Sequence, residues 1–319
     1  MARWITNEKT MGEDGITGCK NGVADRRVSL FPVSKYFTVF LVCWAVLAYA
    51  VPVKAAMFTL ETYPRVDGAT IAIPMGKLMA EKLIGKEQLA GSSGANVTAF
   101  KTTHNAYVNL ITGQADIIFV FGPSDEETKL AETQHVKLRF TPIGKDAFVF
   151  LTNMENPVQE LSLQQIQAIY AGKIVNWNEV GGNDEDIIAY QRNKNSGSQT
   201  FMEQRVMVDM PLVNTPVISS SMYDVIDAVY QKKTAIGYSF NYFANQMYKR
   251  GERVKFLAVD GRECSRENIR DEVYPLTVTL YAVTRVEDRV NDSVNKMLVW
   301  LDSEEGVSVI EEGGFIPLN

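Results

Sequence analysis

Arg192 and Ser196 stand where a strand-like run, Ile187-Ile-Ala-Tyr-Gln-Arg192, steps through Asn-Lys-Asn into Ser196-Gly197-Ser198 at the start of a helical pattern. A guanidinium at a strand end can fork onto two oxygens of a tetrahedral oxyanion, while helix N–H groups and serine hydroxyls bind the others. Two further helix starts have the same character. Asp67-Gly68-Ala69-Thr70 precedes a helical pattern carrying Ile73, Met75, Leu78 and Met79, and Thr102-Thr103-His104-Asn105 precedes one carrying Tyr107, Leu110 and Ile111. Taken singly, each small polar residue is an ordinary N-cap, Arg192 is a surface ion pair and Lys194 is solvated. Taken together, three Thr/Ser-rich helix starts offer free N–H groups and positive helix-dipole ends suited to an anion.

The elements that must position these residues read as α/β. Apolar, β-rich runs fall at Asn96–Phe100, Ile117–Phe121, Phe148–Leu151, Ile187–Tyr190, Ala235–Phe240, Val254–Ala258 and Leu276–Thr284. Helical patterns separate them at Ile71–Leu83, Ala106–Thr112, Leu163–Tyr170, Gln199–Val208, Met222–Gln231 and Asp288–Leu301. Strands alternating with helices of this length predict βαβ units and mostly parallel sheets. Such folds gather their loops at the carboxyl ends of the strands, which would bring the polar helix starts together. Neither an internal repeat nor a low-complexity tract interrupts the pattern.

The succession of motifs resembles the phosphate-binding proteins of ABC transporters. It consists of Asp67-Gly68-Ala69-Thr70, Ala106-Tyr107 with Leu110 and Ala115-Asp116, then the run from Leu163 to Gly182 with Gly172-Lys-Ile and Asn176-Trp177, then Arg192 with Ser196-Gly197-Ser198, and Ala235-Ile-Gly-Tyr238. The resemblance spans about Tyr63 to Asn319. It implies a two-lobed type II periplasmic-binding-protein fold, with mixed sheets flanked by helices and a ligand cleft between lobes that close like a hinge. Lobe I is expected at 57–147 plus 246–319 and lobe II at 148–245, with Phe148–Leu151 as the first crossing and the return after Tyr238–Tyr242. The resemblance makes Thr70 a phosphate-binding threonine, with Ala69 and Ile71 offering backbone N–H groups, and puts Thr103 in place of a ligand-binding serine. It also matches Arg192, Ser196, Gly197 and Ser198 to an Arg-x-x-x-Ser-Gly-Thr element. Relatives carry an aspartate five residues after the strand aspartate, where it accepts the proton of phosphate and repels sulfate. Here that position is Phe121. Asp67 and Asp125 are the candidate replacements, although Asp125 with Glu126 and Glu127 also reads as the acidic first turn of a helix.

At the level of the whole chain, 46% hydrophobic and 22% charged residues over 319 describe a folded protein. The net charge of -6 argues against a nucleic-acid partner, which would need a basic face. Arg26, Arg27 and Lys35 precede an apolar run from Tyr36 to Val51 followed by small residues at Ala55 and Ala56, the signature of a secretory signal peptide. Residues 1–56 are therefore expected to be a tail and an export signal, with a membrane anchor at 36–51 as the alternative. Residues 1–50 hold six Lys/Arg and four Asp/Glu, so the rest keeps 26 basic against 34 acidic residues, a net charge of -8. Cleavage of that segment would also remove Cys19 and Cys43 and leave Cys264 as the one cysteine, so that no intramolecular disulfide could form.

The only histidines, His104 and His135, are unaccompanied by a nucleophile elbow, a His-Glu-x-x-His run or clustered cysteines, so neither an enzyme, a metal site nor a cofactor is expected. His104 is expected near the cleft rim or as a polar residue at the helix start. The expected protein is a monomeric, extracytoplasmic or periplasmic solute-binding protein for phosphate or a similar oxyanion, serving ABC permease subunits and touching the membrane only through its N-terminal segment. The alternative is an anchored anion sensor or interaction module of the same fold that has lost transport.

Overall fold

In the computed structural model, residues 56–318 are described, apart from 92–96, 98, 99, 214–216, 219, 220, 250–253 and 287–290. The expected export segment, with Cys19 and Cys43, and most of the strand expected at Asn96–Phe100 lie outside the described residues.

In chain order, β1 (Val66–Gly68) leads through a 3-10 turn at Thr70–Ala72 into α1 (Ile73–Leu83), and α2 (Lys86–Gly91) follows. α3 (Thr103–Ile111) feeds β2 (Ile117–Val120), and α4 (Asp125–Thr133) feeds β3 (Leu138–Asn153), a strand of 16 residues. Then come β4 (Glu160–Leu161), α5 (Leu163–Tyr170), β5 (Ile188–Ala189), β6 (Gln191–Arg192) and α6 (Gly197–Phe201), which runs on into a π-helical turn at Met202–Val206. β7 (Val217–Ile218), α7 (Met222–Gln231), β8 (Ala235–Phe240), β9 (Val254–Phe256) and β10 (Ala258–Val259) follow. The chain finishes with α8 (Arg266–Arg270), β11 (Thr277–Arg285), α9 (Asp292–Leu301), α10 (Glu304–Glu312) and β12 (Ile316–Pro317).

The principal sheet has the order β1-β2-β11-β3-β8-β5, with β9 and β12 also on β3. Its pairing departs from the mostly parallel arrangement expected. β1 with β2 and β5 with β8 are parallel, whereas β2 with β11, β11 with β3, and β3 with β8, β9 and β12 are antiparallel. A parallel pair needs a helical crossover between its strands. The two parallel pairs have one, through α1–α3 and α6–α7, but the central strands come from distant parts of the chain. Every residue of β2 and of β8 is buried, which explains why both read as unbroken apolar runs rather than alternating ones.

β3 ties two halves of the sheet together. Its residues up to Ala147 pair with β11 and β12, and from Phe148 onward it pairs with β8 and β9. Two strands beyond residue 246 pair with the part of the chain after Phe148. Val254–Phe256 still pairs with Leu151–Asn153, and Ala258–Val259 pairs with Glu160–Leu161. After these strands α8 packs against β3 and β12.

Aromatic packing fills the interior of the second half. The Phe148 ring lies 4.8 Å from that of Phe201, 5.2 Å from Tyr238 and 5.5 Å from Phe150. Trp177, 1% exposed, donates its indole N–H to Thr234 O at 2.8 Å. These contacts make a rigid platform under β6 and α6, which carry Arg192 and the Ser-Gly-Ser turn.

Candidate functional site

Each of the polar helix starts is built by local chemistry. Ala69, extended at φ -65 and ψ 152, turns the chain from β1 into the 3-10 turn. Thr102 caps α3 by accepting the Asn105 N–H at 3.1 Å. Ser196 caps α6 by accepting the Gln199 N–H at 3.3 Å, and Asn195 just before it takes φ 63, a left-handed value that asparagine tolerates. The Arg192 backbone N–H donates to Gln199 Oε1 at 3.1 Å and to the Tyr238 hydroxyl at 2.9 Å, which pins the strand end to the platform. Gln199 and Tyr238 are also hydrogen-bonded to each other.

These starts converge. Ala69, Thr70, Ile71, Thr103, Arg192, Ser196, Gly197 and Ser198 all line one cavity of about 340 Å³. Thr102, Asn193, Met222 and Phe240 line it too, as do His104, expected near the cleft rim, and Lys194, expected in solvent and 76% exposed. Phe121 and Phe240, with ring centroids 4.3 Å apart, contribute its apolar wall. No Asp or Glu lines this cavity among the described residues.

Arg192 is only 9% exposed. Burial pulls its guanidinium below the ordinary arginine value, while Tyr238 and Asp224 oppose that shift. The guanidinium lines the cavity, where it can fork onto two oxygens of an anion with little competition from bulk water. Ser198 is 2% exposed, and its hydroxyl has no hydrogen-bond partner among the described residues. Gly197 explains itself by what faces it: a Cβ there would stand 2.7 Å from Thr103 Oγ1 on the opposite side of the cavity. The two sides also meet at the cavity's edge. Glu126 Oε2 accepts the Asn195 amide at 2.7 Å and lies 3.5 Å from Lys194 Nζ, and Asp125 Oδ1 accepts the Gln204 amide at 3.0 Å. The Asn195 hydrogen bond, with Lys194 adding to it, holds the Glu126 carboxyl below the usual range.

Three expectations need correction. Ala69 lines the cavity, but its N–H donates to Phe119 O at 2.9 Å as β1 leaves the sheet, so it offers no donor to a ligand. The Thr70 hydroxyl donates to Lys101 O at 2.7 Å, which leaves Thr70 and Ile71 to contribute the N–H groups of a first helical turn, where no intrahelical acceptor exists. Neither candidate carboxylate stands in for the residue replaced by Phe121. Asp67 is buried and spends Oδ1 on the Gly68 N–H and Oδ2 on the Asn109 amide, each at 2.7 Å. Asp125 is exposed at the first turn of α4, bound to Gln204.

Sequence reasoning gave no ligand role to the pair formed by His104 and Glu127. His104 Nδ1 lies 3.1 Å from Glu127 Oε1, with the histidine side chain 34% exposed and the glutamate 1% exposed. Half of the signal was readable, since Ser124 and Glu127 form a capping box at the start of α4. That its carboxylate also reaches the start of α3 depends on packing between the two helices. His135 is exposed in the loop after α4, at φ 56. Among the described residues no cluster of three or more His, Cys, Asp or Glu is placed to hold a metal ion.

Comparison with known proteins agrees with this architecture. The profile of the PBP superfamily domain matches residues 83–305. The phosphate-binding protein PstS of Staphylococcus aureus strain MRSA252 is 26% identical over 258 residues, covering 78% of this chain and 76% of the relative. Among solved structures, a Clostridium perfringens protein assigned to phosphate ABC transport as the substrate-binding component, with phosphate bound, is 24% identical with a TM-score of 0.60, over 80% of this chain and 98% of that one. An ABC-type phosphate transport receptor from Vibrio cholerae is 21% identical with a TM-score of 0.59, over 79% and 98%. At these identities the structural likeness speaks for the fold.

Proposed function

This chain belongs to the PBP superfamily, and we propose that its cavity captures a tetrahedral oxyanion, phosphate before others, and that the protein hands it to an ABC permease outside the cytoplasm. The observation that carries the reading is the meeting of buried Arg192, the Ser198 hydroxyl, unpartnered among the described residues, and the first turns beginning at Thr70, Thr103 and Gly197 around one cavity. Their chemistry is that of donors aimed at an anion: a guanidinium fork, hydroxyls and helix N–H groups. The names of the Staphylococcus, Clostridium and Vibrio relatives favour phosphate as the ligand.

In this reading Arg192 takes two oxygens, Ser196 and Ser198 donate hydroxyl protons, Gly197 and Ser198 add backbone N–H groups, and Thr70, Ile71 and Thr103 close on the ligand from the other side. The two halves of the sheet act as lobes about the Ala147/Phe148 step in β3. Lobe I is formed by 57–147 and the chain from α8 onward, and lobe II by 148 to the end of β10. The Glu126–Asn195 and Asp125–Gln204 contacts then belong to the closed form. The protein works as a carrier without catalysis, exported by its N-terminal segment. Among the described residues no helix is long and apolar enough to cross a membrane.

Equilibrium dialysis of radiolabelled phosphate against the purified protein, with sulfate as competitor and Arg192→Ala as control, tests this. Saturable binding that the substitution abolishes is expected. Absence of binding below about millimolar, where an affinity is worth only ~4 kcal/mol, would overturn the reading.

A further inference from the structure

A protonated oxyanion differs from a fully ionised one by a single O–H donor, and a site can recognise it only with a matching acceptor. Among the described residues the cavity has no carboxylate to serve, because Asp67 and Asp125 are committed to Asn109 and Gln204. What it does have is the imidazole of His104, at the second position of α3. Nδ1 is spent on Glu127 Oε1 at 3.1 Å, and the other glutamate oxygen accepts the Ser124 N–H at 2.9 Å. The carboxyl group is thus fixed by the start of α4 and buried, with burial pushing its pKa up against the opposing hydrogen bonds from Ser124 and His104. The other charged and titratable groups about this pair are Tyr107 and Glu126 from α3 and α4, and Arg192 and Lys194 across the cavity.

We propose that His104 is the group by which this cleft tells a protonated oxyanion such as hydrogen phosphate from a fully ionised one such as sulfate, and that Glu127 sets it by holding the ring proton on Nδ1. A carboxylate only accepts, so the Nδ1 edge must donate, and the neutral ring is left with a bare lone pair at Nε2. That lone pair accepts the hydrogen of a P–OH group. Sulfate brings only lone pairs to the same place, so it loses a hydrogen bond and meets repulsion instead. The proposal rests on the oxyanion reading above and adds the residue that gives it selectivity. Its rival is Asn193, a cavity residue whose Oδ1 is without a partner among the described residues.

The test is competition between inorganic phosphate and sulfate at mildly alkaline pH, where phosphate keeps one proton, in the full chain and in His104→Ala, Glu127→Gln and Asn193→Ala, each checked by thermal melting. The wild type is expected to prefer phosphate, and His104→Ala to lower the phosphate-to-sulfate ratio by roughly tenfold to a hundredfold, the range for a lost hydrogen bond to a charged partner. Glu127→Gln keeps a carbonyl for Ser124 but turns an amide N–H toward Nδ1, which forces the ring proton to Nε2 and should swing the ratio toward sulfate. A structural role for Glu127 would not produce that swing. Asn193→Ala is expected to leave the ratio unchanged. A ratio unmoved in both the His104 and Glu127 variants, a wild type that does not discriminate, or a ratio that collapses only in Asn193→Ala would overturn the proposal while leaving the oxyanion reading standing. Binding of neither anion by the wild type would overturn both.

Discussion

Arg192 owes its place to a short stretch of chain: β6 ends on it, Asn195 turns the backbone, and Ser196 caps the next helix four residues on. A buried guanidinium that loses its anion, or an anion that loses its guanidinium, forfeits a charge-assisted fork. Arg192→Ala is therefore expected to weaken phosphate binding by at least about a hundredfold. Arg192→Lys should rescue only part of this, since an ammonium cannot fork. Ser198→Ala, which removes a hydroxyl without a partner among the described residues, should cost roughly tenfold in affinity and leave thermal stability nearly unchanged. Calorimetric titration paired with thermal melting checks these three substitutions. The strand end, turn and cap around Arg192 were legible in the sequence because their spacing is local. The fates of Asp67 and Asp125 were not, because their partners Asn109 and Gln204 lie 42 and 79 residues away. The missing Ala69 donor was hidden for the same reason, since only the β1–β2 pairing brings Phe119 O to it.

At the scale of elements, opposing helix starts fit closely enough that small additions should be felt. Gly197→Ala would drive a methyl group into Thr103 Oγ1. Either Thr103 or the whole α6 start must give way, at about 1–3 kcal/mol for overpacking, so phosphate affinity should fall by about tenfold or more while far-UV circular dichroism stays unchanged. A second prediction concerns the step between the halves of the sheet. Asp146, 2% exposed on β3 beside that step, accepts the Tyr242 N–H at 3.2 Å and the Asn241 amide at 3.3 Å just beyond β8. Burial pushes its carboxyl up to about 7, against the hydrogen bonds that favour the charged form. The folded chain therefore holds this proton over a range where the unfolded chain, near the ordinary aspartate value of 3.8, has released it. From this residue, stability is fullest at acid pH and declines as pH rises from about 4 to about 7, by a few kcal/mol in order of magnitude. Asp146→Asn should remove that decline, so the melting-temperature difference between variant and wild type should shift in the variant's favour across this window and level off above it. The strands themselves were largely readable from their apolar runs and the helices from their caps. What composition and period could not reveal was direction: β3, β8 and β11 pair antiparallel because distant parts of the chain meet there, and β9 likewise pairs antiparallel with the far end of β3.

For the molecule as a whole, charge poses the sharpest question. Without residues 1–50 the chain carries a net charge of -8, a field that repels a dianion at a distance. In the proposed reading the cavity answers with local groups, Arg192, serine hydroxyls and helix first turns, beside an apolar wall that includes Phe121, Phe240 and Met222. Pairs buried in this way escape most ionic screening, whereas binding to exposed charges does not. Calorimetric titration of inorganic phosphate into the purified protein, repeated from low to physiological ionic strength, measures that difference directly. One-to-one, saturable binding whose affinity changes by less than about threefold over this range is the predicted result. No binding below about millimolar, or an affinity that falls steeply as salt is added, would contradict an anion held inside the cleft.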